Sequence, residues 1–199
     1  MTALAYVATV TSFVRRTGAL SWQEMGWPAR HGWRPGRIIE DAAAAIALMA
    51  PAFIAVSVLG GLLASLLDVR LESPLPIPRT SAEAAALAVA AVVVAPIGEE
   101  LFFRGFALTA WQRDLGVRAA LVRSSIFFAA VHLANLSATT AREGLLLAFV
   151  AFVVYLPVAF LLGWLFQRRG IVASILGHSA ANGTGLLLAA LAERLAQSS

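Results

Sequence analysis

The sequence has no cysteine, no lysine and few charged residues. The absence of cysteine excludes a disulfide framework, a zinc-thiolate site and a thiol nucleophile. Because lysine is missing, the net charge of +4 rests on fifteen arginines against eleven acidic residues. Only 13% of the residues are charged and 60% are hydrophobic, and the mean hydropathy is +0.81, well above the values of soluble domains. This composition predicts a polytopic membrane protein whose arginines flank membrane helices, rather than a nucleic-acid-binding protein.

Several motifs of common hydrolases are also missing. The sequence contains no HExxH zinc motif and no GxSxG serine elbow. The only aspartates are Asp41, Asp68 and Asp114, and their positions near span ends argue against a paired intramembrane aspartate mechanism. Ser179 lies beside His178, but adjacent residues on a helix do not face each other. Serine, cysteine and aspartate nucleophiles are therefore disfavoured.

Long apolar runs dominate what is present. Crossing a hydrocarbon core takes about 20 helical residues, and five segments meet that length. They lie near residues 42–67, 83–103, 120–136, 144–166 and 171–192. We expect Pro157 to kink the fourth span, the glycines of the fifth to make it irregular or closely packed, and the proline-rich stretch 72–79 to be extended. With no internal repeat, the sequence predicts an all-α, polytopic membrane helix bundle of about five spans.

The N-terminal region differs from the spans. Residues 1–14 are apolar, but they are too short to cross a membrane and lack the basic n-region of a signal peptide. Residues 15–40 mix Trp22, Trp27 and Trp33 with arginines, and they include His31. This mixture is typical of an interfacial anchor, and a substrate-entry element is the alternative.

The arginines predict an orientation for this arrangement. Eleven of the fifteen lie on the same side of the five spans as the N-terminal region. The positive-inside rule then places that region in the cytoplasm and the C-terminus outside. We therefore divide the chain into a cytoplasmic or interfacial segment, 1–41, and a transmembrane domain, 42–199, with a core at about 83–192.

Two glutamates and an arginine end the apolar run of the second span. Ionisable groups within spans are energetically costly, so they are functional candidates by default. Residues four apart on a helix are neighbours, which lets Glu100 and Arg104 pair. Glu99 projects elsewhere and stays free to act as a general base or acid. The alternative is that both glutamates merely mark the end of the span at the interface.

Two of the three histidines also lie at membrane depth. His132 follows Phe128 by four residues, so the phenyl ring can wall one side of the imidazole. His178 precedes Asn182 by four residues, and together they could donate to a developing oxyanion. Imidazole and carboxylate are also ordinary zinc ligands, which makes Glu99, His132 and His178 candidate metal ligands. The alternatives are packed histidines and an interhelical hydrogen bond from Asn182.

The three clusters, in this order, resemble the CPBP family of CAAX proteases and bacteriocin-processing or immunity proteins, also called the Abi family. The family pattern EExxxR, FxxxH and HxxxN stands here as EELFFR (99–104), FAAVH (128–132) and HSAAN (178–182). The upstream SWQEMGW (21–27) is similar to the tryptophan-containing segment often found before the family core. The resemblance covers about residues 95–185, and it makes the protein similar to type II CAAX prenyl endopeptidases.

The resemblance implies a division of labour among these residues. Glu99 and His132 would activate the attacking water, while His178 and Asn182 would stabilise the tetrahedral oxyanion. The family is commonly classed as metallopeptidases, so a divalent metal such as zinc is implied. A metal-free glutamate mechanism is the alternative.

The predicted function is that of an intramembrane endopeptidase, in which Glu100 and Arg104 hold the helices and tune the site. The expected partners are the lipid bilayer and a membrane-associated substrate, either a CAAX-type tail or a leader peptide, and no nucleic acid. A bacterial plasma membrane is the expected location. A non-catalytic immunity or scaffold protein and a component of a proton-coupled transporter are the alternatives.

Overall fold

Helices make up almost all of the described chain, and the described residues contain no strand. The computed structural model describes residues 2–14, 16–27, 34–70 and 78–198. His31, Trp33 and most of the stretch 72–79 lie outside these ranges, so the extended conformation expected for that stretch stays a prediction.

The five predicted spans are confirmed. The helices, in chain order, are α1 (Thr2–Thr9, continued by a π-helical turn at Val10–Val14), α2 (Pro35–Leu66), α3 (Ser81–Leu115), α4 (Val117–His132), α5 (Ala141–Arg169) and α6 (Ile171–Ser198). Among the described residues, α2, α3, α5 and α6, and α4 with its short 3₁₀ extension Leu133–Asn135, are long and apolar enough to cross a membrane. Most of these helices run past the predicted ends, because polar flanking residues continue the helical backbone beyond the apolar core.

Two glycines make the tight connections that bring neighbouring spans together. Gly116 alone separates α3 from α4, and Gly170 alone separates α5 from α6. Their φ angles are +78° and +95°, a region that residues with a Cβ rarely adopt. The chain therefore reverses at once, and each pair of helices packs side by side.

Helix α3 changes its hydrogen-bond register twice near its centre. It is π-helical at Ala90–Val94 and again at Leu101–Leu108, with a short α-helical stretch, Ala95–Glu100, between them. In the first π turn the Ala95 amide donates to the Ala90 carbonyl. The next acceptor in that series is the Ala91 carbonyl, but its donor would be Pro96, which has no N–H. Pro96 therefore leaves the Ala91 carbonyl without a backbone partner.

A close-packed core joins α2, α5 and α6. Its buried members are Ala45, Met49, Val158, Leu162, Leu165 and Ala181. A Cβ at Gly177 would stand 2.9 Å from Leu165 Cδ1 and 3.0 Å from Met49 Cγ, so α6 approaches its neighbours closely there. The close packing expected of this span is confirmed. The irregularity is not found, since α6 is one continuous α-helix. Helix α5 also continues through Pro157 without interruption, and the kink expected there stays a prediction.

The N-terminal segment docks on α3. A small cluster buries Val10, Val14, Leu20 and Met25 together. The Tyr6 ring stacks on Phe102 of α3, with centroids 4.7 Å apart. Glu24 forms a salt bridge with Arg113 near the end of α3, and hydrogen bonds from the Ser21 amide and hydroxyl hold the pKa of Glu24 below its usual value. The assignment of this segment to the membrane interface stays a prediction.

Candidate active site

Glu99, His132 and His178 come together from three different helices. Glu99 Oε2 lies 3.6 Å from His132 Nε2 and 3.8 Å from His178 Nε2. The side chains are largely enclosed, with exposed fractions of 15% for Glu99, 16% for His132 and 6% for His178. Residues up to 79 positions apart in the chain thus meet around one carboxylate oxygen.

Both imidazoles turn the same nitrogen toward Glu99. Nδ1 of His132 lies 2.8 Å from the Phe128 carbonyl oxygen, one turn earlier in its own helix. Nδ1 of His178 lies 2.8 Å from Glu100 Oε1. A carbonyl and a carboxylate can only accept, so each Nδ1 carries a proton and donates it. Each Nε2 is therefore the nitrogen left to act on whatever binds beside Glu99.

Glu100 is the saturated carboxylate of the pair. Its side chain and that of Arg104 are fully buried, and Arg104 Nη1 donates to Glu100 Oε1 over 2.9 Å. The Ser174 hydroxyl donates to Glu100 Oε2. Arg104 Nη2 extends the network by donating to the Ala159 carbonyl of α5 over 3.0 Å. Three helices are thus tied to one ion pair, which is the pairing that the sequence predicted.

Glu99 has the opposite environment. Its Oε2 atom is buried and accepts no hydrogen bond from the described residues. The distance to His132 Nε2 is too long for a direct hydrogen bond. A buried polar atom of this kind calls for an explanation, because most buried polar groups are paired. Of the two adjacent carboxylates, Glu100 is taken up by structural hydrogen bonds, whereas Glu99 is available for chemistry.

Aromatic rings enclose the imidazole of His132. Phe128 stacks on it with ring centroids 4.2 Å apart, which confirms the wall that the sequence predicted. Tyr155 of α5 lies at 4.6 Å. Phe128 also lies 4.5 Å from Arg104 Cζ, a cation–π contact that links the ion pair to the site. The enclosure fixes the ring of His132 and keeps bulk water away from it.

Asn182 ties α6 to the break in α3. Its Nδ2 donates to the Ala91 carbonyl over 2.8 Å. This is the carbonyl that Pro96 leaves without a backbone donor, so the side-chain amide replaces the missing N–H. An amide group carries two N–H donors, and one is used here.

The family of the chain follows from a comparison with known proteins. A family model described as "Type II CAAX prenyl endopeptidase Rce1-like" matches residues 81–184, just over half of the chain. The chain belongs to the Rce1-like family. The matched range contains all the candidate residues, which are Glu99, Glu100, Arg104, His132, His178 and Asn182. Neither the curated proteins nor the solved structures contain a significant match.

Membership in the Rce1-like family, together with five apolar helices, makes this an integral membrane protein with a CAAX-type protease fold. The family thus supports the predicted resemblance and the general class of the activity. The mechanism, the substrate and the roles of single residues stay predictions.

Two residues of the Rce1-like site were missed at the level of sequence. Ser174 donates to Glu100, and it stands four residues before His178, so Ser174, His178 and Asn182 line one face of α6. The spacing of four residues between Ser174 and His178 could have identified Ser174 from the sequence. Tyr155 is one of only two tyrosines in the chain, but nothing in the sequence predicts that it faces His132.

The side chains around Glu99 are of the types that bind zinc. Two imidazoles present Nε2 while Nδ1–H donates to a carbonyl or a carboxylate, the usual second-sphere pattern of metal-binding histidines. The described residues nevertheless contain no group of three or more His, Asp or Glu side chains spaced to hold a metal ion. The candidate ligands Glu99, His132 and His178 would have to draw together to bind one.

Proposed function

We propose that this protein is an intramembrane endopeptidase in which Glu99, assisted by His132, activates water to hydrolyse a peptide bond. The observation that carries the proposal is the buried Glu99 Oε2 atom, to which no described residue donates a hydrogen bond and which lies within 4 Å of two imidazole Nε2 atoms. A carboxylate kept free in an enclosed site is suited to general base catalysis.

The proposed reaction begins with a water molecule that contacts Glu99 Oε2 and His132 Nε2. Its oxygen bonds to the scissile carbonyl carbon while one of its protons passes to Glu99, and the carbonyl becomes an oxyanion. The C–N bond then breaks, and the departing amine takes the proton from Glu99. The products are a free carboxyl group and a free amine.

The oxyanion needs donors that are already in place. His178 is suited to this role in its doubly protonated form, in which Nδ1–H donates to Glu100 and Nε2–H can donate to the oxyanion. The second N–H of Asn182 is the other candidate donor. Glu100 and Arg104 act by holding these groups, since neither has an exposed side chain.

The family makes a CAAX-type tail the first substrate to test, and a leader peptide the second. We propose that the site opens toward the arginine-rich end of the bundle, on the cytoplasmic side of a bacterial plasma membrane. His178 lies seven residues into α6 from that end, which is about 10 Å of helix. Glu99 and His132 lie deeper, sixteen and fifteen residues from the same ends of α3 and α4, or about 22–24 Å, so a substrate segment would need to reach well into the bundle.

A divalent metal is the alternative source of activation. Glu99, His132 and His178 would hold it, and it would polarise the scissile carbonyl and activate the water. The chemistry of these donors supports this alternative, and their present spacing does not.

The test is cleavage of a membrane-anchored reporter by the purified protein in liposomes, with CAAX-type tails and leader peptides as substrates. Glu99→Gln should lower kcat by about 10²- to 10⁴-fold, the range for loss of a general base. The fold should survive, because Glu99 Oε2 makes no hydrogen bond within the described part of the chain that the substitution could remove. Glu193→Gln, an exposed change near the end of α6, is the matched control.

Metal content measured on the same samples separates the two mechanisms. One equivalent of zinc that is lost together with activity in Glu99→Ala and His178→Ala would establish the metal mechanism. Chelator-resistant activity that still requires Glu99 would establish the metal-free one. An unchanged rate in Glu99→Gln, or no cleavage of any reporter by the natural protein, would overturn the proposal in favour of a scaffold.

A further inference from the structure

A cleft at the arginine-rich end of the bundle belongs to no part of the site around Glu99. It lies between the start of α2 and the end of α5 and has a volume of about 360 Å³. Its lining consists of Arg37, Asp41, Trp164, Arg168 and Arg169. In the described chain, no hydrogen bond, ion pair or ring contact joins these residues to Glu99, His132 or His178.

The cleft carries an unbalanced positive charge. Arg169 is neutralised by Asp41, with Nη1 and Oδ1 3.0 Å apart. Arg37 pairs with Glu40 at 3.3 Å, but both side chains are at least half exposed, so this pair contributes little. Within the described part of the chain, Arg168 has no carboxylate partner, and its Cζ lies 5.9 Å from the Trp164 ring. Arg168 is therefore the cation left for an external anion.

Along one face of α5, the side chains change from charged at Arg168 to apolar toward the middle of the helix. Phe160, Trp164 and Arg168 are four residues apart, so they stand about 6 Å from each other along the helix. Phe160 is 41% exposed and Trp164 40% exposed, so both rings are accessible from outside the bundle. The order of cation, indole and phenyl ring matches the order of headgroup, interface and acyl chain in a lipid leaflet. A free phosphate ion would use only the first of these three.

We propose that this cleft binds one anionic phospholipid, whose headgroup phosphate contacts Arg168 and Arg37 and whose acyl chain lies along Trp164 and Phe160. Guanidinium groups are well suited to phosphate because they offer paired N–H donors in one plane. The site does not depend on the proposed proteolysis, since it shares no residue with it.

The proposal is tested by native mass spectrometry of the purified protein, titrated with phosphatidylglycerol or with phosphatidylcholine. The natural protein should retain one phosphatidylglycerol and bind phosphatidylcholine more weakly. Arg168→Gln should weaken phosphatidylglycerol binding by about tenfold or more, because a charged hydrogen bond is lost. Arg142→Gln is the matched control, since it removes the same charge from the opposite end of the same helix.

Further measurements separate lipid from free phosphate and from general charge attraction. Phe160→Ala should weaken phosphatidylglycerol binding, and inorganic phosphate at millimolar concentration should not displace the lipid. Arg168→Gln and the natural protein should unfold at the same temperature in detergent, which shows that the variant folds. Equal binding of both lipids, equal losses in Arg168→Gln and Arg142→Gln, or full displacement by inorganic phosphate would each overturn the proposal.

Discussion

The hydrogen bond from Asn182 to the Ala91 carbonyl allows a test of what the asparagine does. The bond spans 2.8 Å and joins α6 to the π turn of α3. Asn182→Ala removes the only donor that the described structure offers to this carbonyl. Leaving a buried carbonyl unpaired destabilises a protein by about 1–3 kcal/mol, and this half-buried carbonyl should fall at the lower end of that range. We therefore expect a measurable loss of stability, whether or not Asn182 also contacts the substrate.

The second perturbation is Pro96→Ala, which restores a backbone N–H in helix α3. That N–H is the missing donor for the Ala91 carbonyl in the π register. In the Pro96→Ala background the Asn182 amide becomes largely redundant, so Asn182→Ala should then be nearly neutral. The coupling in this double-mutant cycle should reach about 1 kcal/mol, above the 0.3–0.5 kcal/mol scatter of independent sites.

The assay is unfolding of the four proteins in detergent, with reporter cleavage measured in parallel. Thr184→Ala is the control, because the Thr184 hydroxyl bonds only within its own helix, to the Ala180 carbonyl. Additive losses of stability would refute the reasoning that Asn182 replaces the N–H missing at Pro96. A loss of kcat that persists in the Pro96→Ala background would show that Asn182 also acts on the oxyanion.

Two further predictions concern the packing around the site. Ser174→Ala should destabilise the protein by about 1–3 kcal/mol in detergent unfolding, because Glu100 Oε2 loses its hydrogen-bond donor. Ser179→Ala is the control, because Ser179 makes no hydrogen bond to Glu100. Equal losses of stability in the two variants would contradict the expectation. Gly177→Val should lower the unfolding temperature through a loss of about 1–3 kcal/mol, because its Cβ would meet Leu165 and Met49 within about 3 Å. Gly61→Val faces open space and should be tolerated.

The division between the two glutamates was predictable from sequence because it follows from helix geometry alone. Successive residues point about 100° apart, so a partner four residues on serves one carboxylate and not the other. Glu100 pairs with Arg104 accordingly, while Glu99 faces the histidines. The five spans were equally readable, since length and apolarity decide whether a helix can cross a membrane.

The contacts between helices were not predictable in the same way. The shift into the π register at Ala90–Val94 leaves no mark on a hydrophobic pattern, so the lack of a backbone donor for the Ala91 carbonyl could not be anticipated. The docking of Tyr6 on Phe102 depends on how a short N-terminal helix packs in three dimensions. Such features arise from tertiary packing, which a single sequence does not encode in local periodicity.

The direction in which Glu99 points is set by residues other than Glu99. Among the described residues, none holds its Oε2 atom by a hydrogen bond, whereas its neighbour Glu100 is bound by Ser174 and His178 of α6. Asn182, on the same face of α6, binds α3 nine residues earlier, at Ala91. The distance from Ser174 to Asn182 is about 12 Å along α6, and the distance from Ala91 to Glu100 is about 13.5 Å along α3. Because the two helices are antiparallel and these distances are similar, the Ser174–Glu100 and Asn182–Ala91 hydrogen bonds can form together. Helix α6 thus fixes α3 at Ala91, on the N-terminal side of Glu99, and at Glu100, the next residue. The free carboxylate of Glu99 is therefore held in place without using its own oxygen atoms, which remain available for water.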